Sequence, residues 1–245
     1  EIPRRVETRR ERVAIATARA ATRAARLLPR PDKVPFPAAT LDIATVTVEA
    51  CAGRVELCVE LAVDGTTPPA ELVREACRAL TIPVMVLVRP RAGDFHYSVA
   101  EVTGMIADIE GARAHGAAGV VIGALDADGA VDRPATARLI AAARPLSVTF
   151  HRAFDVVPDR AAALETLVSL GIDRVLTSGG APSAGEGILE LKRLVEQASG
   201  RIGILPGGRI RAGNAAAIVT ATGVQEIHAH AAATAMMAAL GQLTH

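Results

Sequence analysis

The chain has no Trp and a single Tyr, Tyr97, among 245 residues. A module that binds nucleic acid by stacking bases on aromatic side chains is therefore excluded, because the rings are missing. It has three cysteines, Cys51, Cys58 and Cys77. An odd number with no CxxC pair gives no disulfide framework and fits a reducing, cytoplasmic setting. No uninterrupted apolar run reaches the ~18 residues of a membrane span, and no partnership with a membrane is expected. Neither a GxGxxG string nor a P-loop follows the first strand-like segment, which argues against a doubly wound nucleotide-binding sheet.

What is present is aliphatic. Half the residues are apolar, enough for a large core, and that core must be built from Val, Ile, Leu and Ala. The net charge of +1 hides an asymmetry. Residues 1–33 hold ten Arg or Lys against four acids, which leaves −5 on the remainder. Residues 4–28 are Ala- and Arg-rich without Pro or Gly, and Val6, Val13, Ala16, Ala20 and Leu27 form a thin stripe, so an N-terminal helix is expected. Pro29, Pro31, Pro35 and Pro37 then form a semi-rigid linker. The expected division is a basic arm and linker over 1–40 and one barrel domain over 41–245. A basic arm is more often a solvated face than a nucleic-acid site, and no nucleic-acid partner is expected.

From residue 41 short apolar runs alternate with helical segments. Strands are predicted at Leu41–Thr45, Arg54–Cys58, Val84–Val88, Gly119–Gly123, Ser147–His151, Arg174–Ser178, Ile202–Leu205 and Glu226–His230. Helices are predicted at Pro69–Leu80, Val99–His115, Ala135–Ala143, Arg160–Leu170, Gly187–Ser199 and Ala212–Ala221. This is the α/β pattern of a TIM-type (β/α)8 parallel barrel. Only residues 46–53 separate the first two strands, whereas a parallel crossover takes about 10–12 residues. The first β/α unit is thus shortened, and the N-terminal helix is the candidate to fill its place.

Active sites of such barrels form at the C-terminal ends of the strands, so polar residues there are the ones to question. Glu56, Cys58, Arg89, His151 and His228 converge on one mouth. Glu56 has a structural alternative, a buried ion pair with Arg89 or Arg54. Two chemistries follow. Cys58, His228 and His230 suit a soft or borderline metal, Cu(I) or Zn(II). Alternatively, Glu56 and His151 act as an acid–base pair, with Asp155 beside them and Arg89 or Arg152 holding a small anionic ligand. Gly179 and Gly180 after the sixth strand, with Gly207 and Gly208 after the seventh, present backbone N–H groups suited to a phosphate.

The string V-R-P-R-A-G-D-F-H-Y-S at 88–98 closely resembles a signature of the CutC copper-homeostasis family. G-R-V-E-L-C at 53–58, D-G-T-T-P at 64–68, V-I-G-A-L at 121–125, T-F-H-R-A-F-D at 149–155, R-V-L-T-S-G-G at 174–180 and P-G-G at 206–208 continue the likeness in order. The resemblance implies a cytoplasmic TIM-barrel protein that binds copper ion as Cu(I), with a role for cysteine. It implies no particular reaction, and an enzyme remains the alternative. Some members carry a first-strand Cys that would partner Cys58; here that place holds Ala44. His230 adds an imidazole two residues after His228, and Arg209 stands where a third Gly would follow Gly208. A homodimer or higher homo-oligomer is expected, since barrels commonly associate and Ala231–Leu240 forms an apolar tail.

Overall fold

A computed structural model of the chain describes residues 53–60, 63–80 and 82–229, together with the short segments 14–15, 18–19 and 45–46. In chain order the strands are β1 (Ala14–Ile15), β2 (Ala18–Arg19), β3 (Thr45–Val46), β4 (Val55–Leu57), β5 (Val84–Leu87), β6 (Gly119–Ile122), β7 (Ser147–Phe150), β8 (Arg174–Thr177), β9 (Gly203–Pro206) and β10 (His228–Ala229). The helices are α1 (Ala70–Ala79), α2 (Val99–Ala114), α3 (Arg133–Ala143), α4 (Arg160–Leu170), α5 (Ile188–Ala198) and α6 (Ala212–Thr222). Strands β4 to β9 pair in sequence order, all parallel, and alternate with the helices. The architecture is a TIM-type barrel, as the alternation predicts.

The elements form where the sequence dictates. V-M-V-L and G-V-V-I are buried at every position, as strands covered on both faces must be. Ser98 and Glu101 close a capping box at the start of α2. Asp132 and Asp159 accept the N–H of Ala135 and Ala162 at the starts of α3 and α4. Gly171 ends α4 in the left-handed conformation.

Alternation along the strands divides the core in two. Val55, Leu57, Val84, Val86, Val120, Ile122, Val148, Phe150, Val175 and Ile204 join helix residues such as Met105, Leu139, Leu167, Leu191 and Ile218 in one large cluster outside the sheet. Cys58, Met85, Leu87 and Val121, and separately Leu176 and Leu205, form small clusters on the opposite, inner face. Each fully buried Leu or Phe contributes about 1.5–3 kcal/mol.

The first unit departs from expectation. Strand β3, described over Thr45–Val46, pairs antiparallel with β2. Within the segment expected to be helical, Ala14–Ile15 and Ala18–Arg19 are strand instead. Ile15 and Ala14 pair parallel with Ala229 and His228, and β1 also lies beside β4. Part of the arm thus meets the barrel seam, as strand and not helix over Ala14–Ile15 and Ala18–Arg19: an open strand edge offers hydrogen bonds that outweigh the helical propensity of an Ala- and Arg-rich run. The rest of 4–28, the linker, and residues 41–44 lie outside the described residues.

Candidate functional site at the barrel mouth

Cys58, Arg89, Gly123, His151, Ser178 and Gly207 each stand just past the C-terminal end of β4, β5, β6, β7, β8 and β9. Parallel register brings them to one rim, where the sequence places the candidate chemistry.

Cys58 is buried against Met85, Leu87 and Val121. Burial pushes its thiol up to about 12, and the nearby Glu56 carboxylate adds to the effect. Glu56 faces His228, with Oε2 3.8 Å from Nδ1 and each side chain 14% exposed. Burial raises the Glu56 carboxyl to about 7, against the pull of Arg54. His230, Ala44 and Cys51 lie outside the described residues, and Cys77 sits half-buried on α1, away from the rim.

The expected ion pair between Glu56 and Arg89 or Arg54 does not form. Arg54 instead grips Glu226 through two bonds of 3.3 and 2.6 Å, and Arg174 reaches the same carboxylate at 3.1 Å. Arg174 also donates to Ser147 at 2.7 Å. This network lies towards the opposite end of the barrel, at the beginnings of β7 and β8.

Arg89 turns inward and donates through Nη1 to the carbonyls of Val63 and Gly65, both at 2.7 Å. It thereby pins the loop after β4, whose Thr67 hydroxyl also accepts the Arg89 N–H. Neighbouring Arg91 points the other way. Its guanidinium binds Glu101 at 2.6 Å, Asp94 at 3.1 Å and the His96 carbonyl at 2.7 Å, stapling the loop to the start of α2. The stapled loop holds Phe95 at φ +63°, a conformation that costs a non-glycine residue free energy. The Phe95 ring then sits 5.1 Å from the Arg89 guanidinium carbon and 5.1 Å from the His151 ring.

His151 is buried at the end of β7, and its Nδ1 accepts the Ala153 N–H at 3.1 Å. Burial, helped by the Arg89 charge, drives its imidazole down to about 3. It is therefore neutral near pH 7 with its proton on Nε2. No hydrogen bond joins Glu56 to His151 among the described residues; each finds other neighbours, His228 for Glu56 and the Ala153 N–H for His151.

Asp155 is a hub. Its carboxylate accepts from the Thr177 hydroxyl at 2.5 Å, the Ser178 N–H at 2.9 Å, the Ser178 hydroxyl at 3.0 Å, the Gly180 N–H at 3.1 Å and Arg152 at 2.7 Å. The Gly179 N–H goes to the Thr177 hydroxyl and the Gly207 N–H to the Thr177 carbonyl. The Gly208 carbonyl accepts the Ala184 N–H. Gly180 makes room for Arg160, whose Nη1 lies 2.5 Å from where a Cβ would stand. The glycine N–H groups at 179, 180 and 207 are thus committed within the protein. Reading residues one at a time missed Phe95 and Tyr97; their signal was their place inside the 88–98 string.

Comparison with known proteins agrees with this geometry. The CutC family model matches residues 38–233. The chain belongs to the CutC family. It is 50% identical over 183 residues to the human copper homeostasis protein cutC homolog, covering 75% of this chain and 67% of that one. It is 49% identical over 177 residues to a CutC family protein of Caulobacter vibrioides, covering 72% of each. The matched stretch spans about two thirds of the length of the human and mouse relatives, 67% and 66%. A crystal structure of CutC from Streptococcus agalactiae superposes with a TM-score of 0.75 at 34% identity, covering 88% of this chain and 97% of that one. The deoxyribose phosphate aldolase of Aeropyrum pernix, at 17% identity and a TM-score of 0.54 over 71% and 75% of the chains, shares the fold alone. No helix among the described residues is long and apolar enough to cross a membrane.

Proposed function

We propose that this CutC protein takes part in copper homeostasis in the cytoplasm by binding Cu(I) at the barrel mouth, with Cys58 and His228 as ligands. The observation that carries this reading is the inward, buried thiol of Cys58 on the strand that also carries Glu56, whose carboxylate meets the His228 imidazole. Thiolate with imidazole is a soft to borderline donor set. Among the described residues no group of three or more His, Cys, Asp or Glu gathers as a metal cage. A thiolate with one imidazole suits Cu(I), which is content with few, soft ligands. Copper here is cargo, and the wall around Cys58 limits access of water and oxidant to it.

The test is titration of the fully reduced protein with Cu(I) against a competing chelator. The expected result is one equivalent bound, weakened at least tenfold by Cys58→Ser and less by His228→Ala. Unchanged affinity in Cys58→Ser overturns the reading.

A further inference from the structure

Two buried N–H donors at the mouth are left without an acceptor, and they belong to neighbouring side chains. Arg89 is 6% exposed, and its Nε has no hydrogen-bond partner. His151 is 5% exposed, and its Nε2 has none. Tyr97, 7% exposed, adds a hydroxyl with no partner inside normal hydrogen-bond distance, set beside the Arg89 guanidinium, whose charge and hydrogen-bonding reach both act on it. Buried polar groups in folded proteins are almost always satisfied, so three such atoms in one region need a reason.

The fold gathers them deliberately. His151 leaves β7 and lays its ring over β6, where Gly123 has no side chain to obstruct it; a Cβ there would stand 2.3 Å from Cε1. Arg89 comes from the end of β5 on the other side of β6. Phe95 touches both, held in its left-handed conformation by the Arg91 staple. Arg89 satisfies two carbonyls, yet no carboxylate among the described residues forms an ion pair with it. A buried cation backed only by carbonyls and a ring face still favours an anion.

We infer that the Arg89 Nε–H and the His151 Nε2–H, with the Tyr97 hydroxyl, bind an oxyanion, a carboxylate or phosphate group of a small ligand, at the rim between β5 and β7. The site is distinct from the thiol on β4 and does not depend on the copper reading. A neutral imidazole serves it as a donor, and its low basicity keeps that donor constant across the physiological range. The Phe95 ring covers one side and favours a ligand with some apolar surface beside its anionic group.

The experiment is calorimetric titration of the intact protein with inorganic phosphate and, separately, with succinate, at constant ionic strength against chloride. Saturable one-to-one binding of either probe is expected; phosphate alone points to a phosphorylated ligand, succinate alone to a carboxylate. His151→Asn keeps an acceptor for the Ala153 N–H and removes the Nε2 donor, and Arg89→Lys keeps charge for the two carbonyls and removes Nε–H. Each is expected to weaken binding at least tenfold. The copper titration of both variants should match the wild type, which separates failure of this site from failure of the copper site. No saturable binding of either probe up to about 50 mM, or equal binding in wild type and His151→Asn, overturns the inference. Should Arg89→Lys not fold, the wild-type isotherm and His151→Asn decide the matter alone.

Discussion

The His151 imidazole occupies the space that a side chain at Gly123 would need: a Cβ there would lie 2.3 Å from Cε1 and 2.4 Å from Nδ1. His151 is buried, packed near Phe150 and Phe95, and tied to the Ala153 N–H, so its ring cannot swing clear. Gly123→Ala therefore overpacks the rim. We expect a loss of about 1–3 kcal/mol, read as a fall in melting temperature of about 2–4 °C per kcal/mol for a chain of this size. A variant as stable as the wild type would show that the ring has room to move.

The Glu56 carboxyl gives stability a defined pH dependence. Its folded-state value is raised to about 7 by burial, above the ordinary 4.5 of the unfolded chain. Between these values the folded protein holds a proton that the unfolded chain has released, so stability falls as pH rises through that window. Arg54, Cys58 and His228 face the group, and the Arg54 charge offsets part of the cost. The full effect is about 3 kcal/mol at most. Glu56→Gln removes the ionisation, so the variant should gain on the wild type at pH 8 and not at pH 5. Urea unfolding at the two pH values measures this, and an equal difference at both would refute it.

The parallel barrel, seven of its eight strands and all six helices of residues 69–222 were legible, because period, length and turn residues agree along that stretch. The first unit was legible as short, but its pairing was not. Residues 46–53 are too few for a crossover, and what pairs with β10 is decided by an open strand edge far along the chain, which no local pattern encodes. At the mouth, the alternation of T-F-H and V-E-L-C correctly turned Thr149, His151, Glu56 and Cys58 inward. Their partners were not readable: the pull of Glu226 on Arg54 spans 172 residues. Likewise, the glycines after β8 look like an anion cradle in sequence, but in space the Gly180 N–H goes to Asp155 and the Gly179 N–H to the Thr177 hydroxyl.

Asp155 locks that turn from inside. Its side chain is 7% exposed and receives the Ser178 and Gly180 N–H groups, two hydroxyls and Arg152. Asp155→Ala strands all of these at once and should cost about 3–5 kcal/mol. Asp155→Asn keeps one acceptor and should cost about 1.5–3 kcal/mol, the worth of hydrogen bonds to a charged group. Amide hydrogen exchange should accelerate at Ser178 and Gly180 in both. Unchanged protection at those two amides would mean that the turn holds itself.

Copper affinity should carry the mark of the Cys58 thiol. With that thiol raised to about 12, the group is protonated throughout pH 6–9, and a metal must displace the proton to reach the sulfur. One proton released per ion bound makes the Cu(I) affinity rise about tenfold for each pH unit. Glu56 passes through its own titration inside this range, yet it should leave the slope alone. A neutral thiol and a thiolate neutralised by Cu(I) carry the same charge, so the neighbouring carboxylate does not distinguish them. Chelator competition at pH 6, 7, 8 and 9 should therefore give parallel lines for the wild type and Glu56→Gln. Cys58→Ser should lose the slope together with the affinity. A wild-type affinity that does not change with pH would place the ion on some other ligand.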